Sequence, residues 1–145
     1  MLRTMQAHLR DRAAERTLDA LPESLASPGD VLLPLPDTRR YELPHGSAYQ
    51  GGRGAAHTTL TSRWAKYTTR RRVSIDGLVT IQATVGREDV RWHLRHTSSW
   101  PILVVVQPDG RLIISDGHHR VMAAILRGDR TIDAWVYDGP FGKEG

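Results

Sequence analysis

The chain has 145 residues, 39% hydrophobic and 25% charged, with no cysteine and a formal net charge of +4 at pH 7. This length suits one domain around a single core and leaves too little chain for two. The absence of cysteine excludes disulfides, Cys-based metal sites and cysteine nucleophiles, while the basic charge favours polyanionic partners such as DNA or nucleotides.

Residues 1–21 predict an N-terminal amphipathic helix, because apolar residues recur every three to five positions among charged ones. The stripe consists of Leu2, Met5, Leu9, Ala13, Leu18 and Leu21. We expect it to pack on the core of the domain, and the alternative is a homodimer formed through this helix. The segment contains no signal-peptide core, and no part of the chain approaches the roughly 20 apolar residues of a membrane span. We therefore expect a cytoplasmic protein without a membrane partner.

Residues 22–61 form a connecting segment rich in proline and glycine, with at most short strands, one of them in "DVLLPL". A basic segment follows at the start of the region 62–145. Its cations alternate with two aromatic residues, a composition that can pair phosphates and stack bases. Its predicted nucleic-acid contacts are Arg63, Lys66, Arg70, Arg71 and Arg72. The alternative is an exposed basic loop.

The rest of the chain predicts a strand over roughly residues 77–85, a short helix in "GREDVRWHLRH" and a hairpin in "WPILVVVQPDGRLIIS". A helix in "HHRVMAAILRG" and a strand in "TIDAWVYD" complete it. This order of elements predicts an α+β domain.

The stretch "SDGHHR" joins the second hairpin strand to the following helix, so residues 117–120 occupy the first helical turn. A helix N-terminus offers unpaired N–H groups to an anion, and Gly117 permits close backbone approach. Arg120 could bind a phosphate through two hydrogen bonds, and His118 or His119 could transfer protons. Asp116 could assist a Mg²⁺ ion. The alternatives are a solvated surface turn and a metal site made of Asp116, His118 and His119.

The stretch from Trp100 to Val136, with a strand that ends in "DGHHR" and a helix containing "MAA", resembles the core of the ParB/sulfiredoxin superfamily. The resemblance implies a small mixed sheet with flanking helices and a phosphate or nucleotide pocket at a Gly-x-x-Arg turn. Its predicted pocket residues here are Ser115, Gly117, His118, His119, Arg120 and, on an earlier strand, Gln82.

The sulfiredoxin branch places a catalytic cysteine in this turn, and the chain has none. After Val136 we expect neither a helix-turn-helix nor a dimerisation domain, so the chain is most similar to stand-alone ParB-like nuclease domains. This resemblance predicts a DNA nuclease or a hydrolase of nucleoside triphosphates, with Asp116, His118 and His119 in the chemistry and Mg²⁺ as a cofactor. The alternatives are a non-catalytic binding module and a small-molecule kinase with Asp116 as the base.

Overall fold

The computed structural model describes residues 5–36, 66–96 and 100–139. The helices are α1 (Met5–Ala20), α2 (Arg87–Arg95) and α3 (His118–Arg127). The strands are β1 (Asp30–Leu32), β2 (Thr68–Ser74), β3 (Leu78–Val79), β4 (Thr84–Gly86), β5 (Ile102–Val106), β6 (Leu112–Asp116) and β7 (Thr131–Tyr137), with a short 3₁₀ turn at Ile75–Gly77. The predicted α+β class is confirmed.

The described strands form two sheets. The larger has the order β2-β7-β5-β6-β3, and the smaller pairs β1 with β4. The β2–β7 and β5–β6 pairs are antiparallel, whereas β5–β7 and β3–β6 are parallel, so the larger sheet is mixed. β1 lies in the segment predicted as a connection and pairs with β4 over its whole length.

The hairpin and the helix that follows it are confirmed. Gly110 in the "PDG" turn adopts a φ of 87°, and Asp109 accepts a hydrogen bond from the backbone N–H of Arg111. α3 ends at Gly128, which has a φ of 84° and lies in the left-handed region that terminates helices. Gly110 therefore marks the turn of the hairpin, and Gly128 marks the end of α3.

The single strand predicted over residues 77–85 is wrong, because the chain turns between β3 and β4. Thr80 stabilises this turn: its hydroxyl donates to the carbonyl of Gln82 and accepts from the N–H of the same residue. The basic residues from Arg70 to Arg72 are not in a loop, because they lie in β2 and pair with β7. Arg63 lies outside the described residues.

The core has two main parts. One lies between the larger sheet and α3 and includes Leu78, Ile102, Val104, Ile114 and Val121. The other joins α1, α2 and α3 to the smaller sheet through Ala14, Leu18, Val31, Val85, Val90, Leu94 and Met122. α3 contributes to both parts, so its position is fixed from two sides.

The expected packing of α1 on the core is confirmed. The predicted stripe is right for Leu18 and Leu21, which lie in or against the core, and wrong for Met5 and Leu9. The buried residues are Asp11, Ala14 and Leu18, while Met5 and Leu9 are exposed. Asp11 can lie on the inner face because its carboxylate accepts a 2.9 Å hydrogen bond from Arg127 of α3. In the three described ranges, no helix has the length and apolar character needed to cross a membrane.

Candidate phosphate-binding cleft

Gly117 sets the geometry of the predicted phosphate-binding turn. It follows β6 directly, caps α3 and has a φ of 110°, a conformation that side chains rarely adopt. A Cβ atom at this position would lie 2.6 Å from Cγ2 of the fully buried Ile102. The sequence therefore needs glycine here for both backbone conformation and space. Gly117 has no side chain that could cap the first N–H groups of α3, which lie at the positive end of the helix dipole.

Ser115 and Asp116 precede this turn on an irregular part of β6. Val104 pairs with Ile114, whereas the neighbouring Leu103 pairs with Asp116, so Ser115 is the extra residue of a β-bulge. Bulges redirect the end of a strand and occur often next to active sites. Both Ser115 and Asp116 are half-buried.

Arg120 is anchored to the chain segment that leads into β5. Its Nη1 donates hydrogen bonds of 2.8 Å to the carbonyls of both Trp100 and Pro101, and its Nη2 lies 3.7 Å from Oδ2 of Asp116. Burial lowers the pKa of Arg120, and the charge of Asp116 opposes that shift. Arg120 is thus a structural residue as well as a candidate ligand-binding residue.

One side of α3 and the β2–β7 edge of the sheet enclose a cleft of about 340 Å³. Arg70 and Arg72 of β2 line it together with Arg120 and Arg127 of α3. We call it the arginine cleft. Its other lining residues are His93, Trp100, Ala123, Ala124, Asp129, Thr131, Ile132 and Asp133.

Regular backbone geometry explains which arginines meet. Side chains alternate along a strand, so Arg70 and Arg72 share one side of β2 while Arg71 points to the other and does not line the cleft. Residues three to four apart share a helix face, which aligns Arg120 with Arg127. The structure therefore brings the two basic motifs of the sequence to one place.

The four arginines differ in how their charges are balanced. Arg70 forms a 2.6 Å ion pair with Asp133, and Arg127 forms one of 2.9 Å with Asp11. Arg72 instead donates two 2.9 Å hydrogen bonds to Thr131, one to its hydroxyl and one to its carbonyl. Among the described residues, no carboxylate forms an ion pair with Arg72. Arg72 is still near a carboxylate, because its charge helps Arg70 to lower the pKa of Asp133.

The two adjacent histidines of the turn have different environments. His118 is only 8% exposed, its Nε2 has no hydrogen-bond partner among the described residues, and burial lowers its pKa to about 4. It is therefore neutral at pH 7 and shielded from solvent. The side chain of His119 is 35% exposed, and its Nε2 lies 3.6 Å from Oδ2 of Asp89. Of the two, His119 is the one that solvent can reach, and neither histidine lines the cleft described above.

Two further residues of the cleft were missed by the sequence analysis. His93 of α2 lines the cleft, its ring stacks on that of His119 at a centroid distance of 6.3 Å, and burial lowers its pKa to about 4, with Arg120 adding to the effect. His93 lies three residues after the buried Val90, and this helical spacing could have predicted that it faces the interior. Trp100 gave no comparable signal, because a single aromatic residue before a strand has no periodicity.

Of the residues predicted at the turn, Arg120 lines the cleft, whereas the others do not: Ser115, Asp116, Gly117, His118 and His119. Two more predicted residues also lie outside it. Gln82 is in the β3–β4 turn, where its side-chain amide donates a 2.9 Å hydrogen bond to the carbonyl of Thr84. The ammonium of Lys66 lies 4.9 Å from the centre of the Tyr67 ring. These two residues and Arg71 do not line the cleft.

Within residues 5–36, 66–96 and 100–139, no group of three or more His, Asp or Glu side chains could hold a metal ion, and the sequence has no cysteine to add. The role of Asp116 toward Mg²⁺ stays a prediction. Comparisons of the chain with protein-family models, with curated proteins and with solved structures found no match. The similarity to ParB-like domains therefore also stays a prediction.

Proposed function

We propose that this protein binds the phosphate groups of a nucleotide or a nucleic acid in the arginine cleft, with Arg72 and Arg120 as the main ligands. The observation that carries this proposal is the convergence of arginines from β2 and α3 on one cleft. Several guanidinium groups that line one cleft favour an anionic ligand. Each charge-assisted hydrogen bond from a guanidinium to a phosphate contributes about 1.5–3 kcal/mol.

The start of α3 supports the same proposal. Its first N–H groups lack a side-chain cap, and Gly117 lets the backbone turn without a Cβ atom. Nη2 of Arg120 lies 3.3 Å from the position that a Cβ of Gly117 would occupy, so the guanidinium is next to the helix N-terminus. N–H groups, the helix dipole and a guanidinium then act on one anion.

The residues of this site suit Mg²⁺ only as an ion that is already bound to the phosphates of the ligand. Protein-bound Mg²⁺ commonly takes one or two carboxylates and completes its shell with water and phosphate oxygens. Asp116 is the carboxylate predicted for this role; it lies beside Arg120 but does not itself line the cleft. When bound, the ion would neutralise charge on the phosphates, while the arginines hold them in position.

Hydrolysis is the second candidate function, and the pairing of His119 with Asp89 favours it. A carboxylate next to an imidazole can hold the ring in one orientation, an arrangement that general bases use. A DNA nuclease or a triphosphate hydrolase would then use His119, not the buried His118, to activate water. A non-catalytic module would bind the same ligand without turnover. A small-molecule kinase would need Asp116 as the base, but its interaction with Arg120 favours a charge-balancing role.

A thermal-shift screen tests the proposed function. ATP, CTP, GTP, UTP, inorganic tripolyphosphate and a short DNA are each added with and without Mg²⁺. Ligand binding to the folded state alone raises the melting temperature with ligand concentration. We expect tripolyphosphate and at least one of the nucleotides or the DNA to stabilise the protein. No stabilisation by any of these compounds would overturn the proposal.

A further inference from the structure

We propose that the arginine cleft receives a single nucleotide, with its base stacked on Trp100 and its phosphates on the arginines. This inference rests on the proposed function and specifies the ligand as a nucleotide with an accessible base, not duplex DNA. It assigns Trp100, which belongs to neither predicted motif, to base binding.

Trp100 combines exposure with a fixed position. Trp100 lines the cleft and is 57% exposed. Its backbone carbonyl accepts a hydrogen bond from Arg120. The next residue, Pro101, is buried and accepts a second hydrogen bond from the same guanidinium. The backbone that carries the indole is therefore tied to α3, so a flat aromatic surface lies next to the phosphate-binding groups.

The dimensions and the wall of the cleft suit a small ligand. Its volume of about 340 Å³ lies near the lower end of the range for small-molecule sites, about 300–1,000 Å³. On α3, the two small residues Ala123 and Ala124 lie between Arg120 and Arg127 and leave room between the two guanidinium groups. A nucleotide could occupy this space with its phosphates on the arginines.

Duplex DNA does not match the same features. Its bases are stacked inside the helix, and it exposes only phosphates and groove edges. It could contact the arginines, but it could not place a base face on Trp100. Stacking of a base on an aromatic side chain contributes about 1–3 kcal/mol, so Trp100 would favour a free nucleotide over a duplex.

Trp92 provides a matched control. It is 53% exposed, close to the value for Trp100, but it lies on α2 and does not line the cleft. Its ring stacks on that of His96 at a centroid distance of 4.4 Å. Its ring also lies edge-on to that of His93, with a centroid distance of 5.0 Å. Replacing Trp92 therefore removes an equally exposed indole that does not itself line the cleft.

The experiment measures dissociation constants for the nucleoside triphosphate that binds best, for inorganic tripolyphosphate and for a short duplex. It compares wild type with Trp100→Leu, Trp100→Phe and Trp92→Leu. We expect Trp100→Leu to weaken nucleotide binding about 5- to 100-fold and leave tripolyphosphate binding unchanged. Trp100→Phe should restore most of the affinity because it keeps an aromatic face, and Trp92→Leu should change neither affinity.

Equal losses for nucleotide and tripolyphosphate in Trp100→Leu, or no loss for either, would overturn the base-stacking inference and leave the phosphate site intact. Tighter binding of the duplex than of the nucleotide would also overturn it. Absence of tripolyphosphate binding in wild type would instead contradict the proposed function itself. Because tryptophan fluorescence reports stacking directly, nucleotide should quench wild type and Trp92→Phe but not Trp100→Phe. Equal quenching of all three proteins would count against stacking on Trp100.

Discussion

The guanidinium of Arg120 donates a 2.8 Å hydrogen bond to the backbone carbonyl of Trp100. This bond joins the first turn of α3 to the segment that leads into β5, and a second bond to Pro101 reinforces it. The same side chain lines the arginine cleft. Arg120 therefore connects the stability of the fold to the geometry of the candidate site, and its substitution should affect both.

Arg120→Ala should lower the free energy of unfolding by about 1–3 kcal/mol, because it removes two hydrogen bonds and leaves the part-buried carbonyl of Pro101 without its donor. Urea denaturation measures this loss. Arg111→Ala is the control, because Arg111 is exposed and its ion pair within the described ranges is with Asp109 in the hairpin turn, so its removal should cost less than about 1 kcal/mol. Equal stabilities of the two variants would show that the bonds to Trp100 and Pro101 contribute little.

Gly117→Ala should destabilise the protein more than Gly110→Ala, although both glycines have a positive φ. A left-handed conformation costs a non-glycine residue about 1–2 kcal/mol at either position. Only at Gly117 would the new Cβ also contact Ile102, and such overpacking typically costs about 1–3 kcal/mol more. Thermal unfolding of both variants tests this difference. A Gly117→Ala protein as stable as Gly110→Ala would mean that Ile102 moves without cost.

Protonation of His118 should destabilise the fold at acidic pH. Its pKa is about 4 in the folded state, where it is buried, and near 6.5 in an unfolded chain, so the unfolded state binds the proton first. Stability is fully present above about pH 6.5 and declines by about 1.4 kcal/mol for each pH unit down to about pH 4.

His118→Gln removes this titration. Urea denaturation at pH 7 and pH 5 should therefore show a loss of stability in wild type that exceeds the loss in the variant by about 2 kcal/mol. Comparing losses within each protein cancels any constant effect of the substitution and the shared titration of carboxylates. Identical losses of stability in the two proteins would show that a group other than His118 causes the pH dependence of stability.

His119→Gln tests the hydrolytic alternative. If His119 transfers protons in hydrolysis, the variant should lose about 100-fold or more of the rate of phosphate release or DNA cleavage, while its affinity for the ligand stays close to wild type. Asp89→Asn should lower the rate less, because it removes only the carboxylate next to the ring. Unchanged turnover in His119→Gln would exclude this residue as the base. If wild type binds its ligand without any turnover, the protein is a binding module.

The sequence predicted best the elements whose ends depend on local chemistry. Gly117 and Gly128 mark the ends of α3, and the "PDG" turn sets the β5–β6 hairpin, because these residues permit backbone conformations that others rarely adopt. Sequence patterns did not predict features that depend on contacts between distant parts of the chain. Asp11 is buried because Arg127 reaches it from another helix, a pairing that no spacing in the sequence reveals.

The candidate site was predicted as two separate motifs, and their convergence could not be inferred from either one. Arg72 and Arg120 line the same cleft through contacts between distant parts of the chain, including the pairing of β2 with β7. The different environments of His118 and His119 also depend on packing, since adjacent residues on a helix point in different directions.

The most direct test of the arginine cleft compares tripolyphosphate binding to wild type, Arg72→Gln and Arg71→Gln by isothermal titration calorimetry at fixed salt. The two substitutions remove the same charge from neighbouring positions of β2, but only Arg72 lines the cleft. We predict that Arg72→Gln weakens binding about 10-fold or more and that Arg71→Gln stays within about twofold of wild type. Equal affinities for Arg72→Gln and wild type, or an equal loss in both variants, would contradict a phosphate site in this cleft.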